Sequence, residues 1–284
     1  MLGIVLRLAA ASCFALMAAM VKLGAELGIH PVELVFWRFA LSLPPTLLWI
    51  ALGPGLGAIR TRRPRAHLWR AAVGLASMFT AFSAIILLPL AEATTINFAA
   101  PLFATILSIF ILSEKVGAHR WAAITVGLIG ILVVTRPDAT TLPVEGLAVG
   151  IAAAFCVAFA QVTIRQISRT ETAEAIVFWF ALSAVIVVGM AMPFVGSAHT
   201  RYEWAILALT GLFGGLAQLF VTASLKTAPV AITAPFDYTQ LIWAVGLGWL
   251  LFGYIPPAAT WIGAAIVIAS GLYTLYREQK ARRR

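Results

Sequence analysis

The feature that most constrains this chain is a recurring apolar run of about 20 residues, the length that one helix needs to cross a bilayer. Short polar or Pro/Gly-rich breaks separate the runs. Because 62% of the 284 residues are hydrophobic and only 11% are charged, the chain has too little polar surface for a soluble domain of this length. The pattern predicts an all-α membrane protein with ten transmembrane helices. The ten runs are residues 3–23, 32–52, 69–88, 91–112, 119–135, 145–165, 174–194, 203–223, 230–252 and 258–276.

Positive charges are distributed unevenly between the two sides of these runs. If the N-terminus is cytoplasmic, sixteen of the twenty Lys and Arg residues fall in cytoplasmic segments, three fall outside, and Arg38 lies within a span. This bias predicts a multi-pass protein of the plasma (inner) membrane with both termini in the cytoplasm. The net charge of +9 resides in loops and the C-terminal tail, so the lipid bilayer, and not nucleic acid, is the expected partner.

The chain also contains an internal repeat. A shift of 140 residues aligns Gly74 with Gly214 and Trp121 with Trp261 without a gap. Nearer the N-terminus the shift becomes 143 residues, and the tripeptide VFW occurs at 35–37 and again at 177–179. The sequence therefore predicts two homologous halves of five spans each.

The predicted halves are residues 1–140 and 141–284, the second carrying a basic cytoplasmic tail. Because five is an odd number, the second half enters the membrane from the opposite side, which makes the halves an inverted repeat around a central cavity. Such halves can exchange an outward-open for an inward-open shape, so alternating access is the expected mechanism. Duplication that serves helix packing alone is the alternative.

Two stretches carry a family resemblance. They are PLAEATTINFAAPLFATILSIFILSEKVGAHRWAAITVGLIGILVV in the first half and APVAITAPFDYTQLIWAVGLGWLLFGYIPPAATWIGAAIVIASG in the second. Together with the span count and the duplication, they resemble the drug/metabolite transporter superfamily, in its ten-span EamA-type branch. The resemblance covers essentially the whole chain, but Tyr254 stands where the first half has Glu114. It implies export of small metabolites, most often amino acids including aromatic ones, through a cavity formed by spans one to four and six to nine.

Polar residues inside the spans are the candidates for substrate contacts, because a polar side chain that faces lipid is destabilising. Asp237 in the ninth span aligns with Asn97 in the fourth. On a helix Asp237 shares a face with Gln240, whereas Tyr238 is turned by about 100°. We expect these four residues to bind the polar groups of a small-molecule substrate, such as an ammonium group. Interhelical hydrogen bonding that serves packing alone is the alternative.

Three prolines are candidate hinge residues. Pro89, Pro229 and Pro235 fall at or just inside the starts of the fourth and ninth spans. Pro235 lies deepest, where it removes a backbone hydrogen bond and frees carbonyl groups to face a cavity. Discontinuities at corresponding places in the two halves indicate a transporter's site or hinge. A plain helix start explains Pro89 and Pro229 equally well.

Further candidates lie within the predicted cavity spans. For Arg38 three roles are open: snorkelling to the outer surface, pairing with Glu33 or Asp237, or contact with a substrate carboxylate. The amides Gln161 and Gln218 are candidates for the cavity lining, with helix packing as the alternative. The aromatic side chains Phe79 and Trp179 are candidates for an aromatic cavity wall, with a lipid-facing or interfacial position as the alternative.

The sequence lacks the motifs that metal binding, nucleotide binding and nucleophilic catalysis require. The four histidines are scattered, and neither a phosphate-binding loop nor a nucleophile elbow occurs, so we expect no metal, no cofactor and no enzyme. Asp237 is expected to be the only carboxylate deep in a span, and uniport and proton antiport both stay open. The competing interpretation is a polytopic membrane enzyme acting on lipid-linked substrates, which needs acidic or histidine side chains clustered at one interface.

Overall fold

The computed structural model describes residues 1–112, 117–135, 142–228 and 230–282, and the described chain is helical with no strand. A helix occupies each of the ten apolar runs, so the prediction of an all-α multi-span membrane protein is confirmed. The helices are α1 (Leu2–Glu26), α2 (Pro31–Ala40), α3 (Leu43–Leu52), α4 (Pro64–Leu87), α5 (Leu90–Asn97), α6 (Ala100–Leu112), α7 (Ala118–Val134), α8 (Val144–Ile167), α9 (Ala173–Gly189), α10 (Met192–Val195), α11 (Arg201–Thr227), α12 (Val230–Thr233), α13 (Gln240–Phe252) and α14 (Ala258–Arg282).

The spans differ in how continuous they are. Within the described residues, seven helical segments are long and apolar enough to cross a bilayer, and the helices of the fifth and seventh runs are shorter. The second span is α2 followed by α3, and the fourth is α5 followed by α6. The ninth consists of α12, a 3₁₀ segment (Ala234–Thr239) and α13.

Local sequence explains where several helices begin and end. Thr200 and Glu203 form a reciprocal capping box at the start of α11, and the Thr172 hydroxyl caps α9. Proline occupies the first turn of α2, α3 and α4, where its missing N–H would lack a partner in any case. Gly253 ends α13 at φ 64°, a left-handed conformation that glycine adopts without steric strain.

The helix packing follows the internal repeat. α1 packs along α11, α4 along α8, and α7 along α14. The sequence shift pairs α1 with α8, α4 with α11 and α7 with α14. When the halves are exchanged, the contact of α1 with α11 therefore corresponds to the contact of α8 with α4, and the contact of α7 with α14 corresponds to itself. A pseudo-twofold axis requires this arrangement. The division at residue 140 and the inverted orientation of the halves stay predictions.

The buried apolar residues form two main clusters. One joins α1, α2, α4, α9 and α11 and includes Val21, Leu34, Phe39, Phe82 and Leu207. The other joins α5 to α8, α13 and α14 and includes Phe98, Leu102, Ile131, Leu241 and Val267.

Candidate functional site

An ion pair joins the first and ninth spans. Arg7, in the second turn of α1, donates from Nε to Oδ1 of Asp237 at 2.5 Å and from Nη2 to Oδ2 of the same carboxylate. The side chain of Arg7 is 13% exposed and that of Asp237 is 32% exposed. The pair is therefore partly shielded, but its carboxylate remains accessible. The charge count assigned Arg7 to a cytoplasmic segment, whereas the structure places it inside α1 and in contact with Asp237.

The irregular backbone of the ninth span positions Asp237. Pro235 lies in the first turn of the 3₁₀ segment, so the discontinuity expected around this proline is present. The Thr239 hydroxyl donates to the Phe236 carbonyl at 2.6 Å, which stabilises the tight turn. The fourth span breaks at residues 98–99, between α5 and α6. These positions align with the break in the ninth span under the 140-residue shift.

The other three polar candidates grouped with Asp237 lie in different surroundings. Tyr238 packs edge-on against Phe98 at 4.9 Å between ring centroids and belongs to the second apolar cluster. Gln240 is half-buried at the first residue of α13. Asn97, the last residue of α5, has a buried Oδ1 with no hydrogen-bond partner. Substrate contacts by these residues stay predictions, and the described contacts of the Tyr238 ring are packing contacts.

Arg38 makes neither of the ion pairs considered from the sequence. Its side chain is 5% exposed, and its guanidinium lies over the Phe39 ring, 4.2 Å from the centroid. Glu33 instead accepts hydrogen bonds from Ser197 N at 2.9 Å and lies 3.0 Å from His199 Nε2. Pairing of Arg38 with Glu33 or Asp237 was therefore wrong, because loop residues 197–199 and Arg7 take those carboxylates.

The structure contains a buried carboxylate that the sequence analysis missed. Glu92, in the first turn of α5, is 0% exposed, and its Oε1 accepts hydrogen bonds of 2.8 Å from the hydroxyls of Tyr254 and Thr260. Burial, followed by the Glu92 hydrogen bond, raises the pKa of Tyr254, so the phenol stays protonated and donates. Asp237 is thus not the only carboxylate of the spans that is shielded from solvent. A glutamate at the second residue of the fourth apolar run was the available signal.

A cavity of about 290 Å³ lies next to this cluster. Its lining includes Lys22, Pro89, Phe252 and Tyr254. The Lys22 ammonium donates to the carbonyls of Ile85, Ile86 and Leu88, at 2.9 Å in the last case, and so ties α1 to the end of α4. This cavity and the Arg7–Asp237 pair lie at opposite ends of α1.

The remaining candidates are spread over the bundle. Phe79 packs against the first apolar cluster, and Trp179 donates from Nε1 to the Ile59 carbonyl at 2.9 Å. Gln161 is exposed on α8, and Gln218 is half-buried on α11. Pro89 caps α5 and so fits a plain helix start, whereas Pro229 lies outside the described residues. In the described part of the chain, no group of three or more His, Cys, Asp or Glu could hold a metal ion.

Comparison with known proteins identifies the family. The model of the EamA-like transporter family matches residues 1–136 and again residues 144–276, one match in each predicted half. The chain belongs to this family. An S-adenosylmethionine uptake transporter of Rickettsia conorii is 29% identical over 260 residues, which cover 90% of this chain and 86% of the relative. A riboflavin transporter of Rhizobium johnstonii is 28% identical over 263 residues, covering 91% and 85%.

A solved crystal structure has the same fold as this EamA-like chain. The match has a TM-score of 0.64 at 19% identity and covers 96% of this chain and 98% of the other. Family and relatives together make this protein a membrane transporter of small metabolites. The names of these relatives specify S-adenosylmethionine and riboflavin, and not the amino acids implied by the sequence resemblance.

Proposed function

We propose that this EamA-like protein carries a zwitterionic metabolite with an α-amino-acid group across the cytoplasmic membrane by alternating access. In this mechanism the substrate's ammonium binds Asp237 and its carboxylate binds Arg7, so that the substrate replaces the contact between the two side chains. The direction of net movement follows the substrate gradient or a coupled ion.

The observation that carries the proposal is the two-point Arg7–Asp237 contact inside the spans. Moving two charged side chains out of water is costly, and an ion pair recovers that cost only in part. A zwitterion presents the same two charges in complementary order, so it can take the place of each partner without leaving a charge unpaired. Because the Asp237 side chain is 32% exposed, it is accessible for this exchange.

The position of the pair suggests how it gates transport. Arg7 belongs to the first span and Asp237 to the ninth, which come from different halves of the predicted repeat. With the N-terminus in the cytoplasm, their contact closes the cytoplasmic end between these spans. The cavity beside Lys22 and Tyr254 lies at the other end. We assign the structure to a state closed toward the cytoplasm, from which separation of Arg7 and Asp237 opens the inward path.

The proposed substrate class covers two candidates. S-Adenosylmethionine, named for the Rickettsia relative, contains an α-amino-acid group. In a free neutral amino acid, the ammonium and the carboxylate of this group are the charged groups. Riboflavin, named for the Rhizobium relative, has no ammonium and no carboxylate, and so does not match the ion pair. The proposal therefore retains amino acids from the sequence analysis, adds S-adenosylmethionine, and drops the restriction to export.

Counterflow in proteoliposomes tests this assignment. Vesicles loaded with unlabelled S-adenosylmethionine or phenylalanine should accumulate the labelled compound, whereas riboflavin-loaded vesicles should not accumulate riboflavin. Asp237→Asn and Arg7→Met should each lower the rate at least tenfold, while Arg169→Met, which removes an exposed cation, should leave it unchanged. Riboflavin counterflow without zwitterion counterflow in folded protein would refute the proposal.

A further inference from the structure

Two arginines lie buried among the second, third, seventh and eighth spans. Arg38 on α2 is 5% exposed and packs beside Gly214 of α11. Arg70 on α4 is 7% exposed and packs beside Gly74, one turn along the same helix. Arg38 lies seven residues after the start of α2, and Arg70 lies six residues after the start of α4, about 10 Å along each helix at 1.5 Å per residue. Both side chains are therefore within the helical part of their spans.

Aromatic rings connect the two guanidinium groups. Arg38 lies over Phe39 at 4.2 Å from the ring centroid, and Arg70 lies over Phe180 at 4.3 Å. The two rings contact each other edge to face, with centroids 5.0 Å apart. Stacking holds each guanidinium plane by its face and leaves the N–H groups at its edge free to donate. The four side chains form one continuous unit, which we call the arginine cluster.

Within the described part of the chain, the arginine cluster lacks a counter-charge. The Nε atom of Arg38 and the Nε and Nη1 atoms of Arg70 are buried without a hydrogen-bond partner. Among the described residues, no carboxylate oxygen forms an ion pair with either guanidinium, and the two positive charges repel each other. Buried charges are stable when they are paired and hydrogen-bonded. Two unpaired, buried guanidinium groups connected through the Phe39 and Phe180 rings therefore indicate a site for an anion.

The repeat gives this cluster a defined place between the halves. Gly74 and Gly214 align under the 140-residue shift, and Arg38 in VFWRFA aligns with Phe180 in VFWFAL. One half thus contributes a guanidinium where the other contributes an aromatic ring, each packed against the equivalent glycine. The contacts come from both halves of the predicted repeat, where a ligand that moves with the bundle would bind.

The arginine cluster is separate from the Arg7–Asp237 pair. Arg38 packs near Met17 of α1, which is ten residues after Arg7. That separation is about 15 Å along the helix at 1.5 Å per residue. A single amino acid is too short to contact both places at once. The cluster therefore shares no residue with the gating pair, and its binding role does not depend on the function proposed for that pair.

We propose that Arg38 and Arg70 together bind an oxyanion, the carboxylate or phosphate group of a transported molecule or of a free anion carried with it. Guanidinium groups present planar sets of N–H donors that fit two oxygens of such a group at once. The anion neutralises the repulsion between the two cations and satisfies their unpaired nitrogens. Phe39 and Phe180 keep both donor planes oriented toward it.

Thermal unfolding of the purified full-length protein in detergent tests this site. Sodium phosphate should raise the Tm of the wild type relative to sodium chloride at equal ionic strength, because a ligand that binds only the folded state stabilises it. Arg38→Met and Arg70→Met should each remove the phosphate-dependent shift, and Arg169→Met should retain it. Arg38→Lys keeps the charge but loses the planar donor set, so its shift should be smaller than that of the wild type.

The ligand-free proteins separate an anion site from simple packing. Without phosphate, Arg38→Met and Arg70→Met should unfold at the same temperature as the wild type or higher, because each removes an unpaired buried charge. If the arginines serve packing alone, both variants lose stability and the wild type shows no phosphate shift. That result, or an equal phosphate shift in the wild type and both methionine variants, would overturn the proposal.

Two further measurements, one of thermal unfolding and one of counterflow, identify the source of the anion. If the transported molecule supplies it, phenylalanine or S-adenosylmethionine should still stabilise Arg7→Met, in which the carboxylate cannot pair with residue 7, and this stabilisation should require Arg38. If a free anion supplies it, phosphate inside the proteoliposomes should accelerate substrate counterflow in the wild type and not in Arg70→Met. A phosphate shift without any zwitterion counterflow leaves the arginine cluster standing and removes only the function proposed for Arg7 and Asp237.

Discussion

The hydroxyl of Tyr254 donates to Oε1 of Glu92 at 2.8 Å and so fixes the turn before α14 to the start of α5. Thr260 donates to the same oxygen at 2.8 Å, while Oε2 of Glu92 is buried with no hydrogen-bond partner. Tyr254 is also the residue that stands in place of an acidic side chain at this corner of the repeat. The substitution thus provides a donor for a carboxylate in the other half.

Tyr254→Phe should destabilise the protein because it removes a donor from a fully buried carboxylate. Hydrogen bonds to charged groups contribute about 1.5–3 kcal/mol, so a loss in this range is expected. Tyr276→Phe, at a side chain 58% exposed, should change stability by less than about 0.5 kcal/mol. Denaturant unfolding in detergent measures both. Equal stability of Tyr254→Phe and Tyr276→Phe would show that the Glu92 contact contributes nothing.

Exchanging Arg7 and Asp237 separates gating from substrate binding. Each single substitution, Arg7→Asp or Asp237→Arg, leaves like charges facing each other and should lower stability by about 1–3 kcal/mol, between the values for exposed and buried pairs. The double variant restores the ion pair and should recover stability, but it presents the charges to a substrate in reversed positions. Its counterflow should therefore stay at least tenfold below the wild-type rate. Recovery of full counterflow would mean that the pair only closes the bundle.

Three glycine substitutions test the packing around the arginine cluster. A Cβ at Gly74 would lie 2.5 Å from the Phe180 ring, whereas a Cβ at Gly214 would lie 3.1 Å or more from its neighbours and one at Gly246 would meet nothing within 4 Å. Gly74→Ala should therefore cost about 1–3 kcal/mol through overpacking, Gly214→Ala less, and Gly246→Ala nothing or a slight gain in helix propensity. Thermal unfolding gives the order. Gly246→Ala as the most destabilising of the three would contradict the packing described around Phe180.

Sequence periodicity predicted the helices because membrane-spanning length and hydropathy are local properties. It placed all ten spans and drew attention to Asp237, whose charge is conspicuous in an apolar run. It could not identify Arg7 as the partner, because a contact between residues 230 positions apart depends on how α1 meets the ninth span. Arg70 was counted as a cytoplasmic charge for a related reason. Only the packing of α4 against Phe180 places its guanidinium inside the bundle.

Buried polar groups were the hardest feature to predict. Glu92 lies near the start of a span, where an isolated sequence suggests exposure to water. Its burial is produced by Tyr254 and Thr260, which lie more than 160 residues away in the chain. For Trp179 the sequence likewise contains no sign that the indole N–H donates to the Ile59 carbonyl. In each case the missing information was the partner and not the residue type.

Acid should weaken the connection between the third span and the loop that follows α8. Burial opposes ionisation of Glu171, but hydrogen bonds from His67, Thr61 and the Arg62 backbone outweigh it and hold the pKa of this carboxyl below its ordinary value. A lowered pKa stabilises the folded state above the unfolded pKa of about 4.3, and this contribution is lost as the pH falls through the folded value. The Tm of the wild type should therefore fall more between pH 5 and pH 3 than that of Glu171→Gln, with all other carboxylates common to both. Parallel Tm profiles for the two proteins would show that Glu171 does not contribute to acid sensitivity.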